Sequence, residues 1–182
     1  MKRYLWILSF VLLISSCGQA ATSTPNPAEP IVNFPTVAPE TLPACTSSDL
    51  NESSNSNQTA DSTIIGITLT NKTKSACALS NPPVVKILDE SGIELPVQIS
   101  NEAALMKNTP AALIGLSPSD NIILTMNWQN YCLQNPVKNL TILIELGKDK
   151  SLSATVKIAG PPTCKSSKDP SLLKITPYSY PP

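Results

Sequence analysis

Four stretches of this chain alternate residue by residue between apolar side chains and their neighbours, and that alternation constrains its fold more than any other feature. Ile65, Ile67 and Leu69 alternate with Gly66 and Thr68. Ile122, Leu124, Met126 and Trp128 alternate with Ile123, Thr125 and Asn127. Leu140, Ile142, Ile144 and Leu146 follow the same rule, as do Leu152, Ala154, Val156 and Ile158. Successive side chains of a strand point to opposite faces, so a period of two predicts strands with one face in a core and one in solvent. A helix would need a period of 3.6, which these stretches lack.

Turn signals separate the stretches. Val84 to Leu88 and Ile93 to Ile99 read as a further pair of strands. Asp89-Glu90-Ser91-Gly92 between them reads as a hairpin turn with glycine free to adopt positive φ. Gly147-Lys148-Asp149-Lys150 plays the same part between the last two long strands. Pro96 has no N–H for a ladder and demotes its strand to an edge. Residues 51–61, Asn-Glu-Ser-Ser-Asn-Ser-Asn-Gln-Thr-Ala-Asp, read as a polar loop. Asn101 to Ala111 reads as a second irregular stretch, with one helical turn at Glu102 to Lys107. The expected fold is all-β: an immunoglobulin-like antiparallel β-sandwich of about seven to nine strands. Aromatic residues are few, so Ile, Leu and Val must fill the core, with Trp128 as anchor beneath a disulfide.

Cys45, Cys77, Cys132 and Cys164 lie within this region. No pair has the Cys-x-x-Cys spacing of a zinc or redox centre. An even number of cysteines in an exported chain reads as disulfides, and four allow three connectivities. The favoured pairs are Cys45–Cys77 and Cys132–Cys164, each closing a loop of about 30 residues and contributing about 3–4 kcal/mol through chain entropy. The rival arrangement joins Cys45 to Cys164 and closes the domain end to end.

A fifth cysteine, Cys17, ends the apolar leader. Lys2 and Arg3 precede a nearly unbroken apolar run from Tyr4 to Ile14. The run has signal-peptide length and falls short of the roughly 20 residues that span a bilayer. Ile-Ser-Ser-Cys (14–17) resembles the lipobox of bacterial lipoproteins. That resemblance implies cleavage after Ser16 and lipid on the Cys17 thiol. Acyl chains contribute about 0.8 kcal/mol per buried methylene and one chain holds only marginally, so two or three would anchor the chain stably. Residues 17–43 are rich in Pro, Ser, Thr and Ala. Recurrent prolines remove backbone donors and block helix and sheet alike. The stretch reads as an extended tether with a reach on the order of 80 Å, either a spacer from the lipid surface or simply unstructured chain. The expected organisation is a signal peptide over 1–16, the lipid-bearing tether over 17–43, the sandwich over 44–177 and a tail over 178–182.

Composition excludes several functions. Lysine plus arginine and aspartate plus glutamate each number 13. Removing the leader takes away Lys2 and Arg3, leaving 11 basic against 13 acidic side chains, a net charge of −2. Arg3 is the sole arginine and histidine is absent. The chain after the leader therefore lacks the planar fork that grips phosphate and the commonest general base and metal ligand. Scattered lysines do not make the concentrated basic face that nucleic acid requires.

Without histidine a serine nucleophile would need lysine as its base. Ser166, Ser167 and Lys168 are neighbours by composition rather than as a Ser-Lys pair. Asp89, Glu90 and Asp120 are conceivable calcium ligands, but no Asp-x-Asp-x-Asp-Gly loop surrounds them. Asn-x-Ser/Thr triplets begin at Asn51, Asn57, Asn71 and Asn139 and read as polar turn chemistry. The tail Pro177-Tyr178-Ser179-Tyr180-Pro181-Pro182 is expected to fray, with docking on a partner as the alternative.

The order of motifs resembles a widespread family of bacterial exported domains of unknown function. The resemblance rests on Pro-Ala-Cys (43–45), Ile-Thr-Leu-Thr-Asn-Lys-Thr (67–73), Ala-Cys-Ala-Leu-Ser-Asn-Pro-Pro (76–83), Val-Lys-Ile-Leu-Asp-Glu-Ser-Gly (85–92), Leu-Ser-Pro-Ser-Asp (116–120), Leu-Thr-Met-Asn-Trp (124–128) and Tyr-Cys (131–132). It implies a β-sandwich, often on a lipoprotein tether, and supplies no catalytic residues. Glycine usually stands in the family near Ser80–Asn81, and Pro-Gly where this chain has Pro118-Ser119. The expected protein is a non-catalytic binding or adhesion module, lipid-anchored on the extracytoplasmic side of a bacterial membrane, with a protein or glycan partner and no cofactor or metal. A structural or assembly subunit of an envelope complex is the alternative, and a hydrolase the third reading.

Overall fold

The computed structural model describes residues 38–101, 112–132, 137–147 and 150–181. The leader, Cys17, most of the tether and the expected turn at Glu102 to Lys107 lie outside the described residues.

Ten strands are found among the described residues: β1 (Leu50–Gln58), β2 (Ser62–Asn71), β3 (Cys77–Asn81), β4 (Val85–Leu88), β5 (Gln98–Asn101), β6 (Ala112–Leu116), β7 (Asn121–Gln129), β8 (Asn139–Gly147), β9 (Lys150–Lys157) and β10 (Leu172–Ile175). They form a five-stranded sheet in the order β1-β2-β7-β10-β5, a pair β3-β6 and a three-stranded sheet β4-β8-β9. All pairings are antiparallel except β5 with β10. The alternating apolar residues of β2, β7, β8 and β9 point inward and join one buried cluster with residues of β3, β4, β6 and β10. The architecture is the all-β sandwich expected of the alternation, with ten strands in place of seven to nine.

The polar stretch 51–61 is the first correction. Most of it belongs to β1, which pairs with β2 from Leu50↔Asn71 to Gln58↔Thr63. Leu50 at its start joins the core, but further along the same face stand Ser54 and Ser56, opposite Ile67 and Ile65, and Gln58. They meet backbone there instead of a core. The Ser54 hydroxyl donates to the Thr155 carbonyl at 2.8 Å and the Ser56 hydroxyl to the Lys157 carbonyl at 2.8 Å. The Gln58 amide donates to the Pro161 carbonyl at 3.2 Å. A strand edge leaves carbonyls unpaired. Side-chain donors from β1 cover those of β9, and the two sheets are joined along that seam. The turn before β1 is closed by Asp49, whose carboxylate accepts the Thr46 hydroxyl and the Thr46 N–H, both at 2.7 Å. These bonds, the hydroxyl's first, hold its carboxyl below the usual range.

Ile93 to Ile99 is the second correction, because it does not form one strand. The turn after β4 is made as expected. Gly92 has φ +78°, and the N–H of Asp89 reaches the Ile93 carbonyl at 2.9 Å. The returning limb pairs only as far as Leu95, whose N–H donates to Ile87 at 2.8 Å. Pro96 then supplies no donor. The chain crosses to the other sheet, where β5 lies parallel to β10 at its edge.

Both ends of the domain are tied down. Pro39–Thr41 makes a single 3₁₀ turn at the tether's end. The Ala78 N–H donates to the Pro43 carbonyl at 2.8 Å, and the Cys45 N–H to the Ala78 carbonyl at 2.9 Å. The tail does not fray. Ser179 and Ile123 exchange backbone hydrogen bonds of 2.8 and 3.1 Å. The Tyr178 ring is buried, its N–H donates to Asn81 Oδ1 at 2.9 Å, and the Tyr180 hydroxyl donates to the Gly115 carbonyl. Tyrosine supplies apolar area to the core and a polar handle at its rim, which proline-rich composition conceals. Burial raises the Tyr178 hydroxyl above its ordinary pKa near 10. The folded state thus favours the neutral phenol. Its contribution is fully present below pH 10 and is lost as pH rises beyond it. Tyr178→Phe is expected to flatten that alkaline loss of stability in urea midpoints collected between pH 8 and 11.

Ser119 holds a backbone conformation that suits glycine. It is exposed at φ +69°, while its N–H donates to the Asn71 carbonyl at 2.8 Å. The left-handed region costs an L-residue about 1–2 kcal/mol, and glycine avoids most of that at some expense in chain entropy. Ser119→Gly is expected to raise unfolding free energy by about 0.5–1 kcal/mol in a urea titration.

Candidate functional site

Where β7 ends, one side chain organises the loop that follows β9. Asn130 has φ +55° and is 9% exposed. Its Nδ2 donates to the carbonyls of Ser166 at 2.9 Å, Asp169 at 2.8 Å and Pro170 at 3.3 Å. Its Oδ1 accepts the N–H groups of Lys165 at 2.8 Å and Ser166 at 3.0 Å. Residues 165–170 are thus folded around a single amide, next to the Cys132–Cys164 disulfide. Asparagine suits the position because it both tolerates αL geometry and offers a donor and an acceptor. Sequence reasoning missed Asn130. The available signal was an asparagine between a strand's last core residue and Tyr-Cys.

Beneath the loop, the Trp128 indole N–H donates to Ser171 Oγ at 2.8 Å. The indole also meets the Tyr131 ring edge-on at 4.9 Å and 69°. Burial, then the nearby Asp89 charge, raise the Tyr131 hydroxyl's pKa. A cleft of about 250 Å³ opens beside the loop, lined by Gln98, Gln129, Asn130, Lys165, Asp169, Pro170 and Leu172. The Gln129 amide donates to Asn127 Oδ1 at 3.2 Å, which orients it. Lys165 Nζ lies 3.0 Å from Asp61, both side chains more than half exposed, a pairing that contributes little to stability. Amide donors and acceptors over an apolar floor can hydrogen-bond hydroxyls or peptide groups. Asn130→Ala is expected to lower unfolding free energy by about 2–3 kcal/mol, from orphaned loop groups and αL strain. Asn130→Gly should recover the strain part alone, read by the same urea titration.

Of the residues singled out for chemistry, Ser166, Ser167 and Lys168 lie on this loop, and the acidic ones fall elsewhere. Ser166 Oγ accepts the Lys168 N–H at 3.3 Å and serves a turn. Asp89 Oδ1 accepts the N–H groups of Ser91 at 2.8 Å and Ile93 at 2.9 Å. Glu90 Oε1 accepts the backbone N–H of Lys138 at 3.2 Å and that of Asn139 at 3.0 Å. Asp120 Oδ2 accepts the Ser117 N–H at 3.1 Å. Asp89 and Asp120 thus close turns, while Glu90 ties the turn after β4 to the start of β8. Among the described residues no three His, Cys, Asp or Glu side chains gather in a group that could hold a metal ion. Asn71 is fully buried, with Nδ2 on the carbonyls of Ser75 and Leu116 at 2.8 and 2.9 Å.

Cys45 and Cys77 join in one disulfide, and Cys132 and Cys164 in the other. Cys17 lies outside the described residues, and among those residues no helix is long and apolar enough to cross a membrane. No curated protein and no solved structure matches the chain. Residues 45–178, from the first domain cysteine to the buried tyrosine of the tail, match the model of a domain of unknown function, DUF4232, and the chain belongs to that family.

Proposed function

We propose that this protein is a non-catalytic binding module of the bacterial cell envelope, held at the membrane by lipid on Cys17. The observation that carries the binding reading is the cleft beside the Asn130 loop. Its loop wall is held by the Cys132–Cys164 disulfide and by the Asn130 amide, and the Gln98 and Gln129 amides line the cleft beside that wall, so a ligand would meet amide donors and acceptors against a preformed surface. The leader, with Ile-Ser-Ser-Cys at residues 14–17, supports the anchor. Two disulfides agree with an oxidising compartment. The absence of histidine from the whole chain supports a role in recognition rather than acid–base catalysis.

Two measurements test the proposal. Intact-mass analysis of the membrane-extracted protein is expected to find residue 17 at the N-terminus, carrying a diacylglyceryl group that Cys17→Ser abolishes; an unmodified Cys17 rejects the anchor. For binding, the purified protein is titrated with envelope glycan fragments and with peptides from envelope proteins. Saturable binding weakened by Gln98→Ala and Gln129→Ala is expected. Binding that survives both substitutions, or none to either class, rejects the cleft as a recognition site.

A further inference from the structure

We propose that the Cys132–Cys164 disulfide is a thiol–disulfide exchange site, opened at Cys164 by a dithiol reductant, while Cys45–Cys77 is a permanent brace. This proposal stands apart from the binding reading and survives its failure.

The two bridges have the same sequence separation, 32 residues. Loop-closure entropy therefore does not distinguish them. Their surroundings do. Cys45 is 0% exposed and Cys77 4%, and both belong to the core cluster. Cys164 is exposed and Cys132 half-buried. Exchange requires a thiolate to reach a disulfide sulfur, so access selects which bridge reacts and which of its sulfurs is attacked.

A thiolate of the dithiol attacks Cys164 Sγ and forms a new S–S bond to it. The Cys132–Cys164 bond breaks with its electron pair on Cys132 Sγ, which takes a proton from water. The second thiol of the reductant, as thiolate, attacks its own sulfur in the mixed disulfide. Cys164 leaves as thiolate and is protonated. The protein disulfide gains two electrons, and the dithiol loses two in becoming a disulfide.

The fold has a place for the reduced state. Cys132 Sγ lies 3.5 Å from Asn130 Oδ1 and 3.4 Å from the Ser166 carbonyl. A Cys132 thiol therefore finds acceptors without moving. The loop it releases is still hung on the Asn130 amide through Lys165, Ser166, Asp169 and Pro170. Reduction changes the fastening of one cleft wall from covalent to hydrogen-bonded, and the core brace at Cys45–Cys77 is untouched.

The test is graded reduction of the folded, full-length protein with dithiothreitol, quenched with a maleimide and mapped by peptide mass spectrometry. Cys132 and Cys164 are expected to label at least about tenfold faster than Cys45 and Cys77. Near-UV circular dichroism from Trp128 should persist when only the first pair is labelled. In a parallel reaction with glutathione, stopped by acid, the mixed disulfide is expected on Cys164. Labelling of all four cysteines together, or of Cys45 and Cys77 first, overturns the proposal. A glutathione adduct on Cys132 overturns the stated point of attack. The Cys132→Ser/Cys164→Ser variant is expected to keep the native near-UV spectrum; loss of that spectrum would make this bridge a structural brace and overturn the proposal.

Discussion

Replacing Trp128 by alanine is expected to lower unfolding free energy by about 3–5 kcal/mol, the range for a large aromatic removed from a packed core. Trp128 is fully buried on β7, between its register partners Thr63 of β2 and Leu173 of β10. Flanked by β2 and β10, β7 has no open edge along which the site could collapse. Two further losses add to the cavity: the edge-on contact with Tyr131 and the hydrogen bond to Ser171 Oγ. Trp128→Phe separates them. It keeps most of the ring and loses the N–H, with about 1 kcal/mol attributable to the hydrogen bond. Urea unfolding followed by far-UV circular dichroism measures both variants, because Trp128 is the domain's one tryptophan and fluorescence would vanish with it. A loss below about 1 kcal/mol for the alanine variant would mean that the ring is not the anchor described here.

Removing the core disulfide has the next largest effect. Cys45→Ala/Cys77→Ala is expected to lower stability by about 3–4 kcal/mol in the chain-entropy model, given the separation of 32 residues. For a domain of this size that lowers the melting temperature by on the order of 10 °C. Alanine is the right replacement, since serine would bury two hydroxyls in the core cluster. The bridge also ties Ala44 and Cys45 beside β3, where Ala44 bridges Ala78. Amide hydrogen exchange should therefore quicken first at positions 45 and 78, whose N–H groups make the backbone bonds of that pairing. Protection unchanged there would mean that the backbone pairing holds without the bridge.

Strands whose inward positions are apolar were legible from the sequence, because burial on one face writes a period of two into the chain. β2, β7, β8 and β9 are of this kind. β1 was not legible. Its inward serines bond to the edge carbonyls of β9, and a hydroxyl facing a carbonyl leaves the same trace in sequence as one facing water. The tail was hidden for a related reason, since Tyr178 enters the core alone from a proline-rich stretch without periodicity. At the candidate site, the cysteines were visible by residue type. Asn130, Gln98 and Gln129 were not, because an amide becomes a loop's hub or a cleft's wall only through what the fold sets against it.

By itself, then, the sequence determined the all-β class, the main core strands and the turn at Gly92, each through local rules of alternation and backbone freedom. Only the tertiary structure decided that β5 crosses to lie parallel with β10, that β1 seals the edge of β9, and that one asparagine gathers the loop beside the exposed disulfide. Those contacts join residues far apart in the chain. Their free energy depends on which unpaired backbone groups arrive opposite which side chains, and no short stretch of sequence records that.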